Sequence, residues 1–583
     1  MNDDLREELR SEIEDFRTQT KRFLDKELNV KEFKGYSGGF GSYAQRGATS
    51  FMLRLRMNQG VMTKDKLKFI CDTCKEHGVS RAHFTTCQTI QLHDLSGMEI
   101  PSIMSNALDH GIVCRGGGGD FPRNVMCSPL SGVDPQEAFD VLPYAARVGE
   151  YLLSIVNKYT LPRKLKVAFT NSSRNEAHAT FRDLGFVANP DHTFDVYCAG
   201  GLGNNPRMGV RVGEHVAPET ILYYVSTMVL MFMEFGNYEN RAKARTRYMQ
   251  ETLGSEGFVD AYRERLKRAL QGQSLTIAVR EEAITKTGDA QVLSDRRVFA
   301  QKQHGLYAVY YHPIGGSLTP QKLQEIYDCI RDMEAVELRL TPQQGVYIIN
   351  CTAAEAKCVL AVTGDGARNT FEESTACIGA STCQVGLRDS QGVLKDVILY
   401  LREKNYADHV LPKIFISGCP SSCGTNQIGQ LGFQGTVKVI DRKPYPAFTL
   451  SVSGSDSLYH ERFGNVAGVV LEEDMCLFLA AIADAVTAAG MDFNTWLEKE
   501  KEQLQVDMGL CLYVIQEEYR QKIKAAHKKF FTFLESDERF ISLITNENEI
   551  IITAEGLLQV QRMSYLTSVH YQGCRFFRRE REE

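Results

Sequence analysis

The sequence lacks a long apolar run, a surplus of positive charge and a secretory leader. Its longest apolar stretch, Ile221–Phe235, is 15 residues and contains Glu234, whereas a spanning helix needs about 20. A buried core helix is expected there, and no membrane partner. With 67 Lys and Arg against 73 Asp and Glu, the net charge is −6, which excludes a general nucleic-acid binder, since that needs a strongly basic face. Only local cation clusters can serve anions. The N-terminus, MNDDLREELRSEIEDF, is acidic where a secretory leader carries positive charge followed by an apolar segment. The expected location is therefore the cytoplasm, where the 16 cysteines stay reduced. The composition, 43% hydrophobic and 24% charged over 583 residues, is that of an ordinary globular protein with roughly four domain-sized units.

What is present is, first, a duplication. A shift of 256 residues places Gly60, Thr63, Lys66, Leu67, Ile70, Asp72, Thr85 and Gln88 on Gly316, Thr319, Lys322, Leu323, Ile326, Asp328, Thr341 and Gln344 without a gap. Each copy reads as strand, turn, Thr-capped helix and a strand carrying Thr-x-x-Gln. A second echo, at a slightly shorter offset, sets Leu161-Pro162-Arg163-Lys164 and Leu184-Gly185-Phe186 against Leu411-Pro412-Lys413 and Leu431-Gly432-Phe433. A duplicated α+β protein with approximate two-fold symmetry is expected. Ahead of it, Leu5, Leu9, Ile13, Phe16 and Phe23 recur at helical spacing, predicting an amphipathic arm packed on the body. Beyond about residue 495 nothing repeats: KEKEQLQVDMGL and EEYRQKIKAAHKKFFTFLE read as helices, Glu549–Thr553 as a strand, and RFFRREREE as a frayed end.

Four cysteines stand apart from the rest. Cys377 and Cys383 form C-x5-C, and Cys419 and Cys423 form C-x3-C, both in Gly/Ser/Thr-rich loops whose N–H groups can turn toward sulfur. Thiolates suit iron–sulfur clusters or zinc; the five-residue gap fits a zinc ribbon poorly, and Asn426 stands where a radical-SAM motif needs a third cysteine. Cys71 and Cys74 read as core residues, and Cys198, Cys329, Cys351, Cys358, Cys476, Cys511 and Cys574 have no partners at ligand spacing.

Cations also occur where a solvated surface is not expected. Arg54 and Arg56 alternate with apolar residues in FMLRLRM, Arg123 follows Gly116–Gly119, and Lys164 and Lys166 alternate in LPRKLKVAF, which puts both on one face of a strand. Tyr310 stands at the position matching Arg54, so the two copies differ in charge. Convergence of these segments would bind a small oxyanion, and a clustered lysine shifts its pKa readily enough to pass protons to it.

Both cysteine pairs and the G-C-P-x-x-C-G setting, together with YAQRG, FMLRLR, PRNVMC, LPRKLK, DLGF and RLTPQQ, resemble the sirohaem-dependent sulfite and nitrite reductases over roughly residues 30–490. The resemblance implies a duplicated fold with pseudo-two-fold symmetry around a 4Fe-4S cluster joined to sirohaem. Cys377, Cys383, Cys419 and Cys423 would hold the cluster, and Cys423 would bridge it to the sirohaem iron. Arg54, Arg123, Lys164 and Lys166 would surround the substrate, while Thr85, Gln88, Gln91 and Gln344 would help hold the macrocycle. The implied reaction is six-electron reduction of sulfite to sulfide, with nitrite to ammonia as the alternative. Lys164-Leu165-Lys166 is similar to the sulfite-reducing members, and CGTNQIGQLGFQG to the ferredoxin-dependent nitrite type. Three positions depart from the family pattern: Cys87 and His83 stand where arginines are common, and Ser421 replaces an asparagine.

The implied organisation is a helical arm over 1–35, ferredoxin-like half-domains over 36–115 and 291–365, larger modules over 116–290 and 366–490, and an extension over 491–583. A non-catalytic iron–sulfur or tetrapyrrole carrier and a zinc scaffold are the competing classes. Gly200–Gly203 lacks the nucleotide-binding glycine fingerprint, so a separate ferredoxin or flavoprotein is the expected electron donor.

Overall fold

The computed structural model describes residues 3–272, 274–280, 283–289, 291–440, 442–504, 550–552 and 558–560. Two compact units divide it, one formed by Met1–Gly366 with Ser457–Tyr459 and the other by the remainder from Ala367 on.

The duplication is explicit in the first unit. Strand Phe51–Arg56 leads through a tight turn into helix Lys64–Glu76, and strand Tyr307–Tyr311 leads likewise into helix Pro320–Ile330. Thr63 and Thr319 cap these helices by accepting bonds from the N–H groups of Lys66 and Lys322, at 3.4 and 3.1 Å. Left-handed backbone recurs at the 256-residue offset: Gln59 with Gly315, Gln88 with Gln344, Asp94 with Asn350. The two half-domain sheets also exchange short strands. Ser317–Leu318 pairs with Ala82–His83 of the first copy, and Val61–Met62 pairs with Leu338–Arg339 of the second. Their side chains share one core, from Leu53 and Ile70 through Leu323 and Ile348.

One expectation is corrected here. Thr-x-x-Gln does not lie within a strand; in each copy it is the hairpin turn, where Gln88 N–H donates to Thr85 O (3.1 Å) and Gln344 N–H to Thr341 O (3.2 Å). The left-handed Gln closes the turn, which alternation of side chains along a strand does not anticipate.

The larger modules also have one topology written twice. In the first unit the order is 210–216, 194–198, 184–188, 167–170, 126–127; in the second unit 375–376, 414–417, 431–440, 443–452 and 465–471 repeat it. In each, the two pairings nearest the short edge strand are parallel and the remainder antiparallel. Gly185 and Gly432 are equivalent: a Cβ would fall 1.8 Å from Ala179 O in one and 1.9 Å from Asn426 O in the other. Gly185→Ala is expected to cost about 3 kcal/mol and lower the calorimetric Tm by several degrees, because the obstacle is backbone.

The N-terminal arm packs as expected. Helix Asp3–Leu24 buries Leu9, Ile13 and Phe16, and helix Val30–Ser37 is capped by Asn29. Phe33 stacks on Phe23 at 4.3 Å and meets Phe51 edge-on at 6.0 Å; each buried phenyl ring contributes about 1.5–3 kcal/mol. Helix Ile221–Phe235 is largely buried, and no single helix among the described residues is long and apolar enough to cross a membrane. In the tail, Phe493–Leu504 is helical and Ile550–Ile552 is a strand beside Val469–Val470. The second expected tail helix, the charged end, Cys511 and Cys574 lie outside the described residues.

Candidate active site

In the second unit the two cysteine pairs occupy loops that are stitched together. Cys377 follows the short strand Thr375–Ala376, and its N–H donates to Ile416 O at 3.0 Å. Its sulfur accepts a bond from Gly418 N–H at 3.1 Å, one residue before Cys419. Leu387 and Arg388 N–H both donate to Gly418 O at 2.9 Å. Gly424 has no room for a side chain, since a Cβ would fall 2.0 Å from Ile416 O. Burial pushes the Cys377 thiol up to about 11, and the nearby Cys423 adds to this, while N–H groups of Gly418 and Gly379 and the Ser390 hydroxyl pull the other way. Buried beside this loop, Ser422 Oγ and Asn426 Oδ1 have no hydrogen-bond partner.

Among the described residues, no three His, Cys, Asp or Glu groups gather as a single metal ion would need. A 4Fe-4S cube takes one thiolate on each of four separate irons and asks for adjacent loops lined with N–H donors. The donor set, the glycine-lined loops and the orphaned polar atoms fit that group.

The duplicate module supplies an internal control. Ser128 N–H donates to Phe169 O at 3.0 Å, as Cys377 does to Ile416 O; Asp134 N–H donates to Leu130 O at 2.9 Å, as Cys383 does to Gly379 O (2.8 Å). Asn175 and His178 share left-handed backbone with Ser422 and Thr425. The positions equivalent to the four cysteines are thus Ser128, Asp134, Ser172 and Glu176. There Arg174 pairs with both Asp134 and Glu176, so one copy has thiols where the other has an ion-pair network.

The first unit holds the cations. Arg54 and Arg123 converge on one carbonyl, Gly117 O, at 2.6 and 3.1 Å, and Arg123 also donates to Gly119 O at 2.8 Å. The loop that offers these carbonyls must be glycine-rich, since a Cβ on Gly118 would fall 2.2 Å from Gly38 O. Burial brings the Arg123 guanidinium down to about 10, with Tyr43 opposing the shift and the smaller repulsion from Arg54 adding to it, leaving it charged at neutral pH. Arg56 is 3% exposed and donates to Arg115 O and Arg123 O; it props the loop. Lys164 and Lys166 lie just before strand Val167–Thr170 rather than within it, and an isolated bridge between Pro122 and Leu165 keeps that segment extended. Both lysines are half-buried.

Of the expected macrocycle residues, Gln88 is wholly buried, bonding Cys127 O, Cys127 N–H and Leu340 O at 2.7–2.9 Å. Gln344 bonds the His83 ring at 3.1 Å. Thr85 meets Thr89 at 2.7 Å, and Gln91 is the cross-strand neighbour of Arg54. At the place of Arg54 in the second copy, Tyr310 packs against Tyr347 with the rings tilted and their centroids 4.7 Å apart, so aromatic core replaces charge.

Sequence reading missed the centre of this pocket. Lys166, Arg182, Arg54 and Arg123 all act electrostatically on the Cys87 sulfur. Burial alone would push the Cys87 thiol up, but Lys166 and Arg182 outweigh it and bring the thiol to about 6. The Arg182 guanidinium bonds the His178 ring at 2.9 Å. Buried Asp183 accepts from the Lys166 N–H at 2.7 Å and from Arg245 at 3.0 Å. The signal available was the charged pair Arg182-Asp183 set directly before the buried strand Leu184–Ala188. Because the folded thiol titrates below its ordinary 9.0, the charged Cys87 contributes stability that is present above that value and lost as pH falls through about 6. The Tm difference between the protein and its Cys87→Ser variant is therefore expected to widen from about pH 6 to about pH 9 in calorimetry.

Comparison with known proteins bears on the family and the fold. Residues 118–270 match the nitrite and sulphite reductase 4Fe-4S domain, and residues 43–109 and 299–363 match the nitrite/sulfite reductase ferredoxin-like half domain. The 4Fe-4S-domain match falls on the first module, whose topology the cysteine-bearing second module repeats. An assimilatory ferredoxin-dependent nitrite reductase of Haloferax mediterranei is 26% identical, with 84% of this chain and 89% of that protein covered. A ferredoxin sulfite reductase of Mycolicibacterium paratuberculosis is 25% identical, with 71% and 75% covered. The solved NirA protein of Mycobacterium tuberculosis superposes with a TM-score of 0.68 at 22% identity, covering 81% of this chain and 91% of that one, a likeness of fold.

Proposed function

The chain belongs to the nitrite and sulfite reductase family, and on that premise we propose that it reduces a small oxyanion by six electrons, sulfite to sulfide or nitrite to ammonia. The cofactors are sirohaem and a 4Fe-4S cluster. The observation that carries this reading is the Gly418 N–H bond to the Cys377 sulfur, which ties the C-x5-C loop to the C-x3-C loop in the one copy that has thiols. In this proposal Cys377, Cys383, Cys419 and Cys423 hold the cluster. When bound, the cofactors supply electrons and an iron that takes the anion.

The chain's own residues do the remainder. Arg54 and Arg123, fixed on Gly117 O, offset the anion's charge without reorganising during the reaction. Burial lowers the Lys166 ammonium, with the Cys87 sulfur opposing that shift, so its Nζ gives up a proton more readily than a solvated lysine does. Thr85, Gln91 and Gln344 remain the proposed contacts to the macrocycle. A carrier would need no such cation pocket, which favours an enzyme. Relatives named for ferredoxin support a ferredoxin as the separate donor.

The purified holoprotein, assayed with reduced methyl viologen, is expected to consume nitrite or sulfite and to show a tetrapyrrole absorbance band. Iron and sulfide without that band, and no turnover of either anion, would overturn the proposal.

A further inference from the structure

The loop that aims two arginines of the cation pocket is itself held from the N-terminal arm. Four consecutive glycines, Gly116–Gly119, have wide backbone freedom. Yet Gly117 O must stay in one place to receive both Arg54 at 2.6 Å and Arg123 at 3.1 Å. The residue just before them, Arg115, supplies the restraint. Its guanidinium lies over the Phe121 ring at 4.2 Å and over the Phe40 ring at 4.9 Å, so it reaches across to the far end of the loop. Its Nε forms an ion pair with Glu12 of helix Asp3–Leu24 at 2.8 Å, the two side chains being 15% and 23% exposed. Its Nη2 donates to Asn157 Oδ1 at 2.9 Å, and Asn157 donates in turn to Glu8 at 3.0 Å and to Glu12. Phe16, one turn along the same helix, stacks on Phe40 at 4.9 Å. The backbone completes the frame: Arg115 O accepts from Arg56 at 2.7 Å, Gly116 N–H donates to Gly39 O at 2.8 Å, and Gly119 N–H donates to the Tyr43 hydroxyl at 3.0 Å. Gly39 must be glycine, because a Cβ would fall 2.5 Å from Arg115 Nη1.

We propose that Arg115 is a positioning residue for the oxyanion: tied to Glu12 of the N-terminal arm, it fixes the Gly116–Gly119 loop and, through it, the aim of Arg54 and Arg123. The inference rests on the reading that these two arginines receive the substrate. Prearranged donors stabilise a developing charge because they do not move as it forms, and a misplacement of about 1 Å can cost about 10²-fold. An arginine set loose still meets the bound anion, but it must be reorganised in the transition state, so the loss falls on kcat more than on KM. Arg10 offers a contrast. It anchors the same arm through Ser105 at 2.9 Å and through Asp109, and those partners lie on helix Glu99–Asp109 rather than on the loop.

The test compares holoenzymes by kcat and KM for nitrite and for sulfite, per bound sirohaem. A second readout does not depend on turnover: hydrogen exchange of the Gly116–Gly119 amides, followed by peptide mass. Arg115→Met is expected to lower kcat/KM about tenfold for both anions, mainly through kcat, and to speed loop exchange about tenfold. Glu12→Gln, which keeps the shape and removes the charge, is expected to shift both readouts the same way by about threefold, and it carries the comparison if Arg115→Met does not fold. The double variant is expected to be no worse than Arg115→Met alone, since the two residues act as one unit. Arg10→Met, which loosens the arm elsewhere, is expected to leave kcat/KM and loop exchange within about twofold. Unchanged kcat/KM or unchanged loop exchange in Arg115→Met and Glu12→Gln, or an equal loss in Arg10→Met, would overturn the proposal while leaving the proposed function standing. Failure of the unaltered holoenzyme to reduce either anion would instead overturn the functional reading, and loop exchange would still decide whether Arg115 fixes the loop.

Discussion

Replacing Cys419 or Cys377 by serine is expected to strip the protein of cluster iron and acid-labile sulfide, with turnover falling by at least about 10³-fold, since second-shell changes alone typically cost 10–100-fold. The Gly418 N–H that donates to the Cys377 sulfur at 3.1 Å would retain only a weaker hydroxyl partner, and an alkoxide is a poor ligand for iron in a sulfide cube. The control lies in the same chain. Ser128→Cys or Ser172→Cys, at the equivalent places of the first module, should leave iron content unchanged, because Arg174 with Asp134 and Glu176 occupies that ground. Iron and sulfide analysis of the purified variants decides it. Full cluster content in both Cys377→Ser and Cys419→Ser would remove the basis of the proposed chemistry.

Arg123→Met is expected to lower kcat/KM for either anion by about 10²–10³-fold, the usual loss when one prearranged charge is removed from a reacting centre. Its thermal stability should move little, and the sign can be argued from opposing effects. Burial and Arg54 depress the Arg123 guanidinium to about 10; a cation depressed on folding costs stability at neutral pH, and its removal returns some of that. Against this, Gly119 O loses its 2.8 Å donor, while Gly117 O keeps Arg54. Each effect is about 1–2 kcal/mol for a half-buried group, so a Tm change of only a few degrees is expected. A large fall in Tm with activity per folded molecule intact would make Arg123 a structural prop rather than part of the anion pocket.

The Thr63 and Thr319 caps, the 256-residue repeat and the arm's stripe at Leu9, Ile13 and Phe16 were legible in the sequence because each is a local or periodic pattern. Capping and amphipathicity act within a few residues, and a gene duplication preserves spacing. The cysteine pairs were legible for the same reason, being short motifs in glycine-rich loops. The exchanged strands Val61–Met62 and Ser317–Leu318 were not, because a two-residue strand has no periodicity and its partner is some 250 residues away in the chain. Placing Thr-x-x-Gln on a strand failed because the left-handed backbone at Gln88 and Gln344 depends on what the turn closes against, here Leu340 O for Gln88 and His83 for Gln344.

By itself, then, the sequence carried the resemblance to the family, the doubled architecture and the residue types from which the proposed cluster and anion sites would be built, since side-chain chemistry and spacing are properties of the chain. Only the tertiary structure decided which charges face one another. Cys87, Arg182 and Lys166 come from three separate segments, and whether the half-buried Cys87 sulfur carries a proton depends on the ammonium and guanidinium brought near it. Coulombic energy depends on distance and on exclusion of water, and neither is written in the order of the residues.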